Sequence, residues 1–113
     1  MVILDTPVRI DDLAKIASDT FGDLVKAVVD IERELIAIDA ELHSDLEALL
    51  LEDGSRQEAL WGINIYPGLT GDDLVEFDSM INIRPGQGNP SRGVDDETVR
   101  SEILAIVHRW VTT

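Results

Sequence analysis

Two stretches of alternation limit what this chain can become. In Leu60-Trp61-Gly62-Ile63-Asn64-Ile65-Tyr66, the residues Trp61, Ile63 and Ile65 fall on one side of an extended backbone. Gly62, Asn64 and Tyr66 fall on the other. In 25–32, Val25, Ala27, Val29 and Ile31 alternate with Lys26, Asp30 and Glu32, and only Val28 breaks the pattern. Successive side chains of a strand point to opposite faces, so a period of two predicts strands with one apolar and one polar face. Such strands build antiparallel sheets that helices cover on the apolar side.

The helices are written in the other period. Leu13, Ile16, Ala17 and Phe21 fall at helical spacing behind Asp11 or Asp12 as a cap, and Gly22 follows as a stop. A last helix starts at Asp95 or Asp96 and buries Val99, Ile103, Ile106, Val107, Trp110 and Val111. His108 and Arg109 lie in its final turn, where positive charge suits the helix dipole. Val2-Ile3-Leu4 is a short edge strand, with Pro7 as a boundary.

Residues 24–53 admit two readings. Leu24, Val28, Ile31, Leu35, Ile38, Leu42 and Leu49 form a heptad-like stripe that suits one long acidic helix. The density of Val and Ile instead favours strands. Ser44-Asp45-Leu46-Glu47 has the form of a capping box, which marks a helix start. The hairpin reading therefore leads: strand 24–32, a tight turn at Arg33-Glu34, strand 35–41, then a helix over 45–52 ending at Gly54. A strand over 60–66 and another over 74–83 complete the order (β)αββαββα. The expectation is one α+β domain over 1–113, an antiparallel sheet of four to five strands with three helices mainly on one face.

Charge excludes some functions. The chain has 23 acidic and nine basic residues, a formal net charge of −14. Nucleic-acid affinity comes mainly from Lys and Arg on phosphates, so this field disfavours DNA and RNA, and anionic membranes by the same argument. With no cysteine there is no disulfide, thiolate metal site or cysteine nucleophile. No apolar run approaches a membrane span, and the first residues meet an acid at Asp5 without a basic leader. A cytoplasmic location is expected.

Three groups of residues suggest chemistry. The loop 84–93 holds three glycines, two prolines, Arg84 and Arg92. Glycines let backbone N–H groups approach an anion, and two guanidinium groups can clamp a phosphate or carboxylate. Asn82, Asn89 and Ser91 are the assisting candidates. The spacing is not that of a P-loop, because Val94-Asp95 stands where Lys-Ser/Thr is required. The second group is the polar sheet face, where Asp30, Glu32, Glu76 and Asp78 offer oxygen ligands for a divalent cation. The third is His43 among Glu41, Asp45 and Glu47, a metal ligand or a base. Trp61 and Trp110 sit at core spacing.

The segments 25–32, Glu41-Leu42-His43, 47–55, Leu60-Trp61-Gly62-Ile63-Asn64 and 77–85 also carry a resemblance. The chain resembles a family of small uncharacterised bacterial and archaeal proteins, known as a domain of unknown function. The resemblance spans nearly the whole chain and is most specific at Leu-Trp-Gly and Asn-Ile-Arg-Pro. It implies glycines where this chain has Asp39-Ala40, which suits a strand end and the hairpin reading. It brings no activity, cofactor or catalytic residue. With no catalytic motif drawn, the leading expectation is a non-catalytic binding module for a basic protein partner or a small anionic ligand. An anion-binding protein or enzyme using Arg84 and Arg92 is the first alternative, and a cation site the second.

Overall fold

A computed structural model describes residues 1–113. The chain order is β1 (Val2–Ile3), β2 (Val8–Arg9), α1 (Ile10–Asp19), β3 (Val25–Asp30), β4 (Leu35–Ile38), α2 (His43–Glu52), β5 (Leu60–Ile65), β6 (Val75–Glu76), α3 (Glu97–Trp110) and β7 (Val111–Thr112). Five strands make one antiparallel sheet in the order β1-β4-β3-β5-β6, and β2 pairs parallel with β7 in a small second sheet. The α+β class and the hairpin hold. No helix is long and apolar enough to cross a membrane.

The hairpin forms because the turn has its own caps. Asp30 Oδ1 accepts from the N–H groups of Glu32 and Arg33 at 2.8 and 2.9 Å, and Glu34 takes a left-handed φ of 55°. This is an Asx turn, in which a short acid replaces a backbone acceptor. At the far end of β4, Asp39 has φ 71°. That is the region glycine enters freely, so a glycine at this position, as the resemblance implies, fits the bend.

The two sheet faces are packed differently. On one, Val25, Ala27, Val29, Ile36, Ile38, Trp61, Ile63 and Ile65 meet Leu13 and Ala17 of α1 and Ile103, Ile106 and Val107 of α3. On the other, α2 sets Leu46 and Leu50 on Val28, Ala37 and Leu60. Two of the three helices thus share a face. Val28 breaks the alternation because α2 covers its side, so that side is not the wholly open polar surface the pattern suggests.

Several local expectations change. The helix expected over 45–52 begins at His43, with Leu42 as a cap that offers no side-chain acceptor. The Ser44/Glu47 box is unused because burying His43 places Ser44 inside the first turn. In α1 the cap is Arg9, and Asp11 and Asp12 lie in the first turn. Gly22 does terminate the α1 region, with φ 94° and its N–H bonded to Ala17 O at 2.6 Å. Asp96 caps α3, its Oδ1 accepting from Thr98 at 2.8 Å and Val99 at 3.4 Å.

The largest change is the strand expected over 74–83, which ends at Glu76. Beyond it the segment turns through short 3-10 stretches at Met80–Asn82 and Pro85–Gln87 and runs along the outer edge of β5. It reaches that edge with side chains. Asn82 Oδ1 accepts from Gly62 N–H at 2.8 Å, and its Nδ2 donates to Gly62 O and Arg92 O, each at 2.9 Å. Gly62 is required for this approach, since a Cβ there lies 2.5 Å from the Ser79 side chain.

Candidate functional site

Most residues of loop 84–93 are taken up in building it. Arg84 Nε donates to Ile81 O at 3.0 Å, Nη1 to Gln57 O at 2.7 Å, and Nη2 to Leu60 O. Its guanidinium lies 4.4 Å from the Trp61 ring centre. Burial lowers its pKa, with Glu47 and Glu58 acting in the opposite direction. Asn89 is buried: its Nδ2 donates to Asn82 O at 2.8 Å and Gly93 O at 2.9 Å, and its Oδ1 accepts from Asp95 N–H. Ser91 Oγ donates to Asp95 Oδ1 at 2.8 Å. Arg92 lies on the other side of the loop, where Nε donates to Asp78 Oδ1 at 2.6 Å and Nη1 to Met80 Sδ. The structure therefore does not bring the two arginines onto one ligand position.

The cation candidates do not converge either. Asp30 caps its turn, Glu32 pairs with Arg56 at 3.1 Å, and Glu76 Oε1 accepts from Asn64 and Tyr66. Asp78 holds Arg92 and His43 faces β5. No three His, Asp or Glu side chains gather closely enough to hold one ion.

A different set does gather. A cleft of about 400 Å³ opens between the N-terminus of α2 and the start of the 78–92 segment. Lys26, Leu42, His43 and Asn64 line one part of it, and Asp78, Ser79, Met80 and Arg92 another. The register explains the meeting: Lys26 of β3 lies opposite Asn64 of β5, and Asn64 opposite Glu76 of β6. α2 stops covering the sheet where this row begins.

His43 is 8 % exposed and sits 2.8 Å from Ile63 O through Nε2. A carbonyl only accepts, so Nε2 carries the proton and Nδ1 is the acceptor of the neutral ring. Burial pushes the His43 pKa down. The carbonyl contact and Asp78 raise it, and Lys26 and Arg92 lower it.

Asn64 is 7 % exposed, and its Nδ2 donates to Glu76 Oε1 at 2.8 Å. That contact orients the amide, leaving Oδ1 buried with no partner. It is the one such orphan in the cleft wall; the others are on Asp30, Glu47 and Trp61.

With Lys26 and Arg92 positive, Asp78 negative and His43 neutral, the lining carries one net positive charge in a chain of −14. The cleft is thus a polar recess with donors, acceptors and an apolar rim.

A family model described as a protein of unknown function (DUF5674) matches residues 2–110. The chain belongs to that family. The match covers the sheet, all three helices and every cleft residue of the DUF5674 chain. Comparison with curated proteins and with solved structures finds no match.

Of the sequence candidates, the cleft unites His43, Asp78 and Arg92, while Arg84, Asn82, Asn89, Ser91, Asp30 and Glu32 lie outside its lining. Lys26 and Asn64 belong to the polar sheet face that the pattern marks but were not among its candidate ligands, and Ser79 was passed over. The signal was Asn64, a polar residue inside a strand that is buried throughout, with Tyr66 just beyond its end on the same face.

Proposed function

We propose that the DUF5674 chain is a non-catalytic binding module whose α2–β5 cleft takes a small anionic ligand. The observation that carries this reading is the pairing of Lys26 and Arg92 beside the α2 start, which has no side-chain cap, in a recess whose wall also holds the buried, unpartnered Asn64 Oδ1. Buried polar atoms without partners are rare, and one in a cleft wall is explained by a ligand that supplies the missing donor. Lys26 and the free Nη2 of Arg92 supply the positive charge, beside the uncapped first turn of α2. The anion reading of loop 84–93 thus moves from Arg84 to Arg92. The overall charge of −14 supports a small ligand rather than nucleic acid, and a cytoplasmic setting remains part of the proposal.

The test is an NMR titration of the full chain with acetate and with inorganic phosphate, repeated on Lys26→Met and Arg92→Gln. Shifts confined to His43, Ser44, Asn64 and Ser79 that shrink in both variants support the module. Saturating anion with no shift at these residues, or shifts equal in the variants, overturns it.

A further inference from the structure

Resting on that reading, we infer that the ligand is a carboxylate with a nitrogen donor on the neighbouring carbon and an apolar side chain. This is the chemistry shared by a free apolar amino acid and the C-terminal residue of a peptide. Three features of one cleft, on three parts of the fold, meet that description.

The first is the anion pole. Leu42, His43 and Ser44 line the cleft at the start of α2, and no side chain caps the N–H groups of that turn. Asp45 N–H bonds Leu42 O at 3.2 Å; the unbonded N–H groups at a helix start donate to an anion, and Lys26 and Arg92 stand on the same recess. Arg92 is tied to Asp78 through Nε and to Met80 through Nη1, which leaves Nη2 for a ligand oxygen.

The second is the donor-seeking pole. Asn64 Oδ1 is a buried acceptor without a partner, and His43, bonded through Nε2, has Nδ1 as a second acceptor; both residues line the cleft. A carboxylate such as acetate has only lone pairs and satisfies neither. A ligand N–H satisfies Asn64, and an ammonium group has protons for both. Acetate therefore meets half of the recess.

The third is the rim. Leu42 is 54 % exposed and Met80 65 % exposed, both on the mouth of the cleft with Ile81 beside them. Large apolar side chains exposed singly are ordinary, but here they border the polar recess. Methionine is flexible and polarizable, so this wall adapts to side chains of different shape. The volume of about 400 Å³ accommodates one residue-sized ligand.

The test uses the wild-type chain, so folding of a variant does not enter. Four probes are titrated and followed by NMR at His43, Asn64 and Met80: leucine, N-acetyl-leucine, leucinamide and 4-methylpentanoate. Leucinamide lacks the carboxylate, and 4-methylpentanoate keeps the carboxylate and side chain without the nitrogen. Leucine or N-acetyl-leucine is expected to bind at least about tenfold more tightly than either truncated probe, the worth of one hydrogen bond to a buried group.

Leucine ahead of N-acetyl-leucine assigns the free amino acid, and the reverse order assigns a peptide C-terminus. If 4-methylpentanoate, acetate and the two amino-acid probes bind alike, the nitrogen donor has no role. This inference then falls while the anion-binding module stands. If no probe, acetate and phosphate included, shifts the cleft residues, both fall.

Discussion

The two faces of the sheet are covered to different degrees. Under α1 and α3 the cover is continuous: sixteen buried side chains join both helices and four strands in one cluster. Under α2 the buried cluster is five residues, and the helix stops short of the row Lys26, Asn64 and Glu76. The first face supplies stability. The second leaves polar groups in a half-closed space, which is where a binding surface can form without opening the main core.

The strongest test of this contrast is truncation. Ile63→Ala on the α1/α3 face should cost about 4 kcal/mol in urea unfolding, and Leu46→Ala on the α2 face about 3 kcal/mol, because a cavity beside an open cleft collapses more easily. An equal or larger cost for Leu46→Ala would erase the distinction.

Next in size is Asn82→Ala, which removes three hydrogen bonds, two of them buried, and orphans the Gly62 N–H and C=O. A loss of about 3 kcal/mol is expected. Asn82→Asp should be at least as costly, since it sets carboxylate oxygens against two carbonyls.

The two arginines give a crossed pair. Arg84→Gln breaks bonds to three carbonyls and should cost about 1–2 kcal/mol with cleft affinity unchanged. Arg92→Gln removes an exposed ion pair and should leave the urea midpoint close to that of the wild type while weakening anion binding. Denaturation and titration of both variants read the crossing directly, and its reversal would return the anion site to Arg84.

The smallest effect is a pH slope. The folded pKa of His43 lies below its ordinary value, so between the two values the unfolded chain binds the extra proton. Stability from this group is complete above about pH 6.5 and is lost as pH falls below it. The groups that set the shift are Lys26, Arg92 and Asp78, besides burial and the Ile63 carbonyl. Urea midpoints at about pH 7.5 and about pH 5.5 should differ less in His43→Gln than in the wild type.

The fold was legible wherever a period was clean. Alternation marked β3 and β5, Gly22 and Asp96 marked helix ends, and the Val and Ile density of 24–38 decided between hairpin and helix. It was illegible where side chains do the work of backbone. Asn82 and Arg84 bond the edge of β5 as a strand would, yet impose no period, so 74–83 reads as a strand that the chain does not form.

The Ser44 box misled for a related reason. Burial of His43 fixes the helix start and overrides local capping preference. For the cleft, Lys26, His43, Asn64, Asp78 and Arg92 were each visible as polar residues. Their meeting depends on the β3–β5 register and the end of α2, which no local spacing encodes.

The Asn82 and Arg84 bonds to the edge of β5 also bear on self-association. A bare strand edge is a template on which another chain can add. Here the Leu60–Gly62 part of β5 offers no free row of donors and acceptors, because side chains already occupy it. The adjoining β6 is only two residues long. Growth of the sheet is blocked on that flank, so any copy-to-copy pairing through the sheet must use the opposite side, at Val2–Ile3.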